Sequence, residues 1–232
     1  MPETDPLSSL ASDLFRKHPH VYQKLVVSGD TPAEAHALLD GVTLDEMLAV
    51  PIVSRPHAAA MLCGLWLWHG GLSESHEIAQ QTPEQIERAA VMPRGGELKS
   101  AANALSMRFS ENERAVDAET LRDARISLAF WHAIVHRREG DFSNSKYWYD
   151  KVGRHSILPA IGANVGEAIN PLPADKSWLR LLRDGWDSNA FVDLVEEVNR
   201  HPGDPRLRTV IAIQRVEWQM LFDHCTRQAS GK

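Results

Sequence analysis

Residues 121–152 read LRDARISLAFWHAIVHRREGDFSNSKYWYDKV, and their reading decides the fold. The stretch shows no apolar–polar alternation of the kind a half-buried strand requires. Within it, ISLAFWHAIV is apolar almost all round, with His132 as its one ionisable residue. A helix of that composition is expected to be buried. Turned at about 100° per residue, it places Arg125, His132, His136 and Glu139 on one stripe with Leu121 and Leu128. Phe130 and Ile134 lie opposite, flanked by Trp131 and Val135. Gly140 and Asp141 permit a reversal, and Asp141, Ser143 or Asn144 can cap a second helix that runs to Val152. Residues 121–152 therefore read as a helical hairpin.

The rest of the chain agrees with that reading. Asp5–Lys17 carries Leu7, Leu10, Leu14 and Phe15 at helical spacing. Thr31-Pro32 before AEAHALL has the form of an N-cap followed by proline in the first turn, and Thr43 repeats the capping logic before Asp45 and Glu46. Pro56 opens HAAAMLCGLWLWH, a second helix apolar nearly all round, which Gly70-Gly71 stops. Further helices are expected to open at Ser73, at Thr82-Pro83, at Asp175, at Asp187 and at Pro205. The stretch 20–29 suits a helix as well as a strand. Residues 159–175, rich in glycine and proline, read as a long loop. The fold class expected is all-α: an irregular multi-helix bundle with helical-hairpin elements around two central apolar helices. Residues 1–228 form a single helical domain in this reading, with a mobile insertion at 91–117 and a frayed tail at 229–232.

Composition limits the function. The 232 residues are long enough for a substantial core, and 43% hydrophobic with 24% charged residues is ordinary for a globular protein. The formal charge of -6 argues against nucleic acid as a partner. The longest apolar run, Ala58–Trp68, is too short to span a membrane, so no membrane is expected. Two cysteines, Cys63 and Cys225, make no disulfide framework, and the acidic, polar start is unlike a secretory signal. Both point to the cytoplasm. No GxSxG elbow, phosphate loop or cysteine-based zinc pattern is present.

Chemistry concentrates around the two apolar helices. His132 and His136, four residues apart, can share a metal ion, and Glu139 can add a carboxylate. His69 and His76 follow the other apolar helix, beside Glu77. If the two helices pack, His69, His76, His132 and His136 are the metal-ligand candidates. The blander account has these histidines hydrogen-bonded to carboxylates or carbonyls within the packing. Trp68, Arg125, Trp131, Asp141, Asn144, Tyr147 and Trp148 complete the ligand-binding candidates, because aromatic groups beside polar ones are what binding surfaces use.

GDFSNSKYWYDKV resembles the second helix of a tetratricopeptide repeat, with Gly140, Ser145, Tyr149 and Val152 at the matching positions over about half of one repeat. LWLWHGGLSESHEIAQ at 65–80, FWHAIVHRREGDFSNSKYWYDKVGRH at 130–155 and WDSNAFVDLVEEV at 186–198 resemble, in the same order, a family of helical proteins. That resemblance implies no particular activity.

Two functions are weighed. One is a noncatalytic helical domain that binds a small molecule or a protein partner through a cleft rich in His, Trp and Tyr. The other is a metal-dependent hydrolase whose ligands come from His69, His76, His132 and His136, with a divalent metal as cofactor and Glu77 or Glu139 as ligand or general base. Convergence of three of those side chains on one point separates the two readings. The oligomeric state is left open.

Overall fold

A computed structural model describes residues 6–17, 20–91, 116–170 and 176–232. The expected insertion at 91–117 lies almost wholly outside the described residues. Among those described there are eleven α-helices and no strand: α1 (Ser9–Arg16), α2 (Ala33–Leu39), α3 (Arg55–Trp68), α4 (Leu72–Ala79), α5 (Pro83–Val91), α6 (Ala118–Glu139), α7 (Phe142–Val152), α8 (Leu158–Ile169), α9 (Lys176–Leu182), α10 (Ser188–Arg200) and α11 (Leu207–Ser230). The fold is an all-α multi-helix bundle. No helix among the described residues is long and apolar enough to cross a membrane.

Helix α3 lies at the centre, and every one of its residues is buried. It packs against α1, α4, α5, α6 and α11. Helix α6 is continuously buried from Ser127 to Arg138. Three helices meet tightly at Gly64, where an added Cβ would lie 2.8 Å from the Trp131 ring and 3.3 Å from Phe222. Trp218 of α11 donates its indole N–H to the Gly64 carbonyl at 2.9 Å. The same indole packs on Trp68, with ring centroids 4.7 Å apart.

The hairpin forms as its residues dictate. Gly140 takes the left-handed conformation, φ +85°, that ends α6, and the Asp141 side chain caps α7 by accepting from the Asn144 N–H. Ser145 lets α7 approach closely and donates its hydroxyl to the Ala133 carbonyl at 2.8 Å. Tyr149 and Val152 bury their side chains, while Tyr147 is 52% exposed.

Four local expectations are corrected. The supposed loop at 159–175 is helical from Leu158 to Ile169. Its proline occupies the first turn, and Gly162 and Gly166 face Trp186 and Leu182, so these small residues serve close packing. Thr31 does not cap α2; Pro32 stands at the N-cap, and the Thr31 hydroxyl donates to Glu74 at 2.6 Å. The tail is not frayed at 229. Helix α11 continues to Ser230, Ala229 is fully buried and its carbonyl accepts from the Val53 N–H at 2.8 Å, and Gly231 closes the end against Val53. The 20–29 stretch holds one 3₁₀ turn, His20–Gln23.

Candidate metal centre

The centre begins with the α3–α4 turn. Gly70, at φ +84°, and Gly71 reverse the chain, and at Gly71 a Cβ would collide with the Trp66 ring at 2.5 Å. Helix α4 is then pinned to α3 by a reciprocal pair. Ser75 Oγ donates to the Cys63 carbonyl at 2.9 Å, and Cys63 Sγ donates to the Ser75 carbonyl at 3.3 Å. With Ser75 fixed, the next residue, His76, faces α6.

There it meets His132 and His136. One ligand atom from each of the three imidazoles lies within 4.8 Å of the other two. His76 Nε2 and His132 Nε2 are 2.9 Å apart. The rings of His132 and His136 stack at 4.8 Å, as their spacing on one helix face requires, and His76 stands edge-on to both. His132 and His136 are buried and His76 is partly exposed, so the trio reaches solvent at His76.

Neighbouring groups hold the rings in place. His136 Nδ1 donates to Glu139 at 3.0 Å. The Gln80 amide lies 2.7 Å from His76 Nδ1, and the Asn144 amide 3.1 Å from His136 Nε2. Trp148 stacks on His132 with ring centroids 3.9 Å apart. One atom has no partner: His132 Nδ1 is buried without a hydrogen bond. Burial, then the nearby His76 and His136, push the His132 pKa down to about 3. Burial also lowers that of His76. Both rings are therefore neutral near pH 7, the form that binds a metal.

The other sequence candidates are placed elsewhere. His69 ends α3 and bonds through Nε2 to the Leu14 carbonyl at 3.1 Å, away from the trio. Trp68 donates its indole N–H to the Lys17 carbonyl at 3.0 Å, and Trp131 is fully buried in the core. Arg125 pairs with Glu84 of α5. Asp141 serves as the α7 cap, and Glu77 is exposed on α4. Of the sequence-named ligands, His76, His132 and His136 converge and His69 does not.

A second cluster carries no sequence signal. His57 of α3, Asp123 of α6 and His224 of α11 also place one ligand atom each within 4.8 Å of the others. Asp123 is 66 residues from His57 and 101 from His224, so no spacing rule connects them.

Beside the trio on α6, Arg137 and Arg138 are fully buried. Arg137 pairs with Glu217 of α11, and its guanidinium donates to the Tyr149 hydroxyl at 2.6 Å. That hydroxyl donates in turn to Glu217 at 2.8 Å. Arg138 lies over the Tyr22 ring at 4.5 Å and donates to the Lys24 carbonyl. Of the charged run HRRE, His136, Arg137 and Arg138 are buried and Glu139 is exposed. No protein-family model, curated protein or solved structure matches the chain.

Proposed function

We propose that the protein is a metal-dependent enzyme of the hydrolytic class, with a divalent transition metal held by His76, His132 and His136. The observation that carries this reading is the convergence of three ring-oriented imidazoles, two of them buried and the third, His76, reaching solvent. Three protein ligands and a free position are the pattern of catalytic zinc sites. Zinc–nitrogen bonds of about 2.0–2.1 Å put tetrahedral ligands about 3.3 Å apart. The His76–His132 separation of 2.9 Å needs an opening of only about 0.4 Å. Glu139 orients His136 in the manner of a carboxylate behind a metal-bound imidazole. A metal here would polarise a substrate oxygen and make bound water acidic. The chain's own residues hold the rings and limit water access, with Glu139 and Glu77 the nearest named bases.

A second reading has its own support. Trp148 stacks on His132, and Tyr147 stands exposed beside it, with the two rings edge-on at 5.6 Å. That pair suits a noncatalytic site for a planar small molecule or a partner's side chain. For either reading we place the protein in the cytoplasm, on the support of two free, buried cysteines.

The test is metal analysis of untagged protein, with a His132→Ala, His136→Ala double variant as control. One equivalent of zinc, cobalt or manganese that the wild type holds and the double variant lacks is expected, along with metal-dependent cleavage of an activated ester or phosphodiester that is lost in the variant. A folded wild type that takes up no metal after reconstitution overturns the proposal. Metal uptake without cleavage of any such bond favours the noncatalytic reading.

A further inference from the structure

We infer that His57, Asp123 and His224 form a second divalent-metal site, independent of the first, which cross-links the three central helices. Asp123 Oδ2 lies 3.0 Å from His57 Nε2 and 2.7 Å from His224 Nε2, so one carboxylate oxygen faces two imidazole nitrogens. His57 is fully buried and His224 nearly so, while the Asp123 side chain is 29% exposed and gives an ion a way in.

The ring behind the ligand atom is already oriented. Ser54, itself buried, lies 2.7 Å from His57 Nδ1. In the Nδ1–H tautomer, His57 donates to the Ser54 oxygen. That tautomer leaves the Nε2 lone pair facing Asp123 and free for a metal. His155, whose Nε2 is 3.1 Å from Ser127 Oγ, stands edge-on to His224 with centroids 4.7 Å apart, closing the site on one side.

Tetrahedral ligands on zinc lie about 3.3 Å apart, and the two gaps here need to widen by only about 0.3–0.6 Å. Two imidazoles and one carboxylate suit zinc, and equally manganese or iron(II) with water completing the shell. Asp123 and His132 are nine residues apart on α6, about 13 Å along the axis and on opposite faces. The two clusters are therefore separate mononuclear sites.

The experiment uses full-length His132→Ala, His136→Ala protein, in which the second cluster is untouched. Metal-stripped protein is titrated with Zn²⁺, Co²⁺ and Mn²⁺ while uptake and thermal midpoint are followed. One equivalent is expected, with a raised midpoint, and adding Asp123→Ala or His224→Ala abolishes both. No uptake overturns the inference, as does uptake that survives those additions. Loss of the first site alone leaves this equivalent in place, so the two proposals fail separately. If the background variant does not fold, wild-type protein is titrated with Mn²⁺ and its histidine ring resonances followed. Broadening of His57, His155 and His224, beside any at the first site, supports the second site, and their persistence overturns it.

Discussion

His136 and Arg137 are adjacent on α6, both are buried, and each joins a polar cluster of opposite character. The Arg137 cluster matches its charges: a guanidinium, a carboxylate and a phenol from α6, α11 and α7 bond to one another. The His136 cluster has no matched charge between its three rings, and its His132 Nδ1 is left without a partner. A buried polar network whose charges cancel holds helices in register, although Arg137 Nε itself is without a partner. Converging imidazoles with no charge matched between them are the better place to look for a ligand. Two neighbouring residues of one helix thus separate architecture from site.

The largest test of that contrast is Glu217→Gln. It leaves the Arg137 charge inside the core with only Tyr149 and the flanking rings as company, and breaking a buried pair in this way costs about 3–5 kcal/mol. Denaturant unfolding should show a loss of that size. The metal-site variant His132→Ala, His136→Ala should lose far less stability in metal-free buffer, because it removes groups whose burial is incompletely compensated. Equal losses for the two variants would erase the distinction between frame and site.

Acid provides the next test. The pKa of His155 is held down to about 4 and that of His132 to about 3, each chiefly by burial, and His57 and His76 are also lowered. In the unfolded chain all four protonate near 6.5. The unfolded state then binds more protons between those limits, so stability is complete above about pH 6.5 and falls as the pH drops toward 4. His155 alone accounts for about 2 kcal/mol between pH 7.5 and 5, at 1.36 kcal/mol per unit. Asp123 is held below the ordinary carboxylate range: burial would raise it, but the bonds from His224 and His57 outweigh that, so its contribution is lost only below about pH 4. Thermal midpoints measured across pH 5–7.5 should fall with acid, and His155→Gln should flatten the slope. A midpoint independent of pH would mean that these rings are not held neutral.

How much of this was legible in sequence follows from where each signal lies. His132 and His136 share a helix, so their i, i+4 spacing states their proximity outright. His76 could be attached to them only by supposing that the two apolar helices pack, which they do at Gly64 and Trp131, while the Ser75–Cys63 pair holds α4 and its His76 against α3. His69 looked equivalent to His76, but the Gly70-Gly71 reversal lies between them and sends the two side chains to different neighbours. The pairing of Arg137 with Glu217 spans 80 residues, and nothing local marks either residue as buried. The His57–Asp123–His224 cluster was illegible for the same reason, since each member comes from a different helix. Helix α8 was mistaken for a loop because glycine and proline carry two meanings. In a turn they supply unusual backbone angles, and here they supply a first turn and a close helix contact.

Gly64 tests whether one rigid frame holds both clusters. A methyl group there meets the Trp131 ring at 2.8 Å, so Gly64→Ala overpacks the α3–α6–α11 contact. A loss of about 1–3 kcal/mol is expected. Because Trp131 precedes His132, metal affinity at the trio should weaken together with stability. Lost stability with unchanged affinity would show that the trio adapts to its frame.

The smallest effect belongs to a charge pair that is matched but wet. Sequence spacing pairs Lys146 with Asp150 along α7, yet Lys146 reaches across to Asp193 of α10, and Asp150 instead accepts from Asn189 at 2.9 Å. The Asp193 side chain is 54% exposed. Water already solvates both charges, so bringing them together gains little beyond what each loses in side-chain freedom. Lys146→Ala should therefore cost less than about 1 kcal/mol, and most of that should vanish in high salt. Removing Glu217 instead strands a charge that water cannot reach, and added salt should not recover that loss. If Lys146→Ala cost as much as Glu217→Gln, the ranking by burial would fail, and with it the claim that matched charge matters in this bundle only where solvent is excluded.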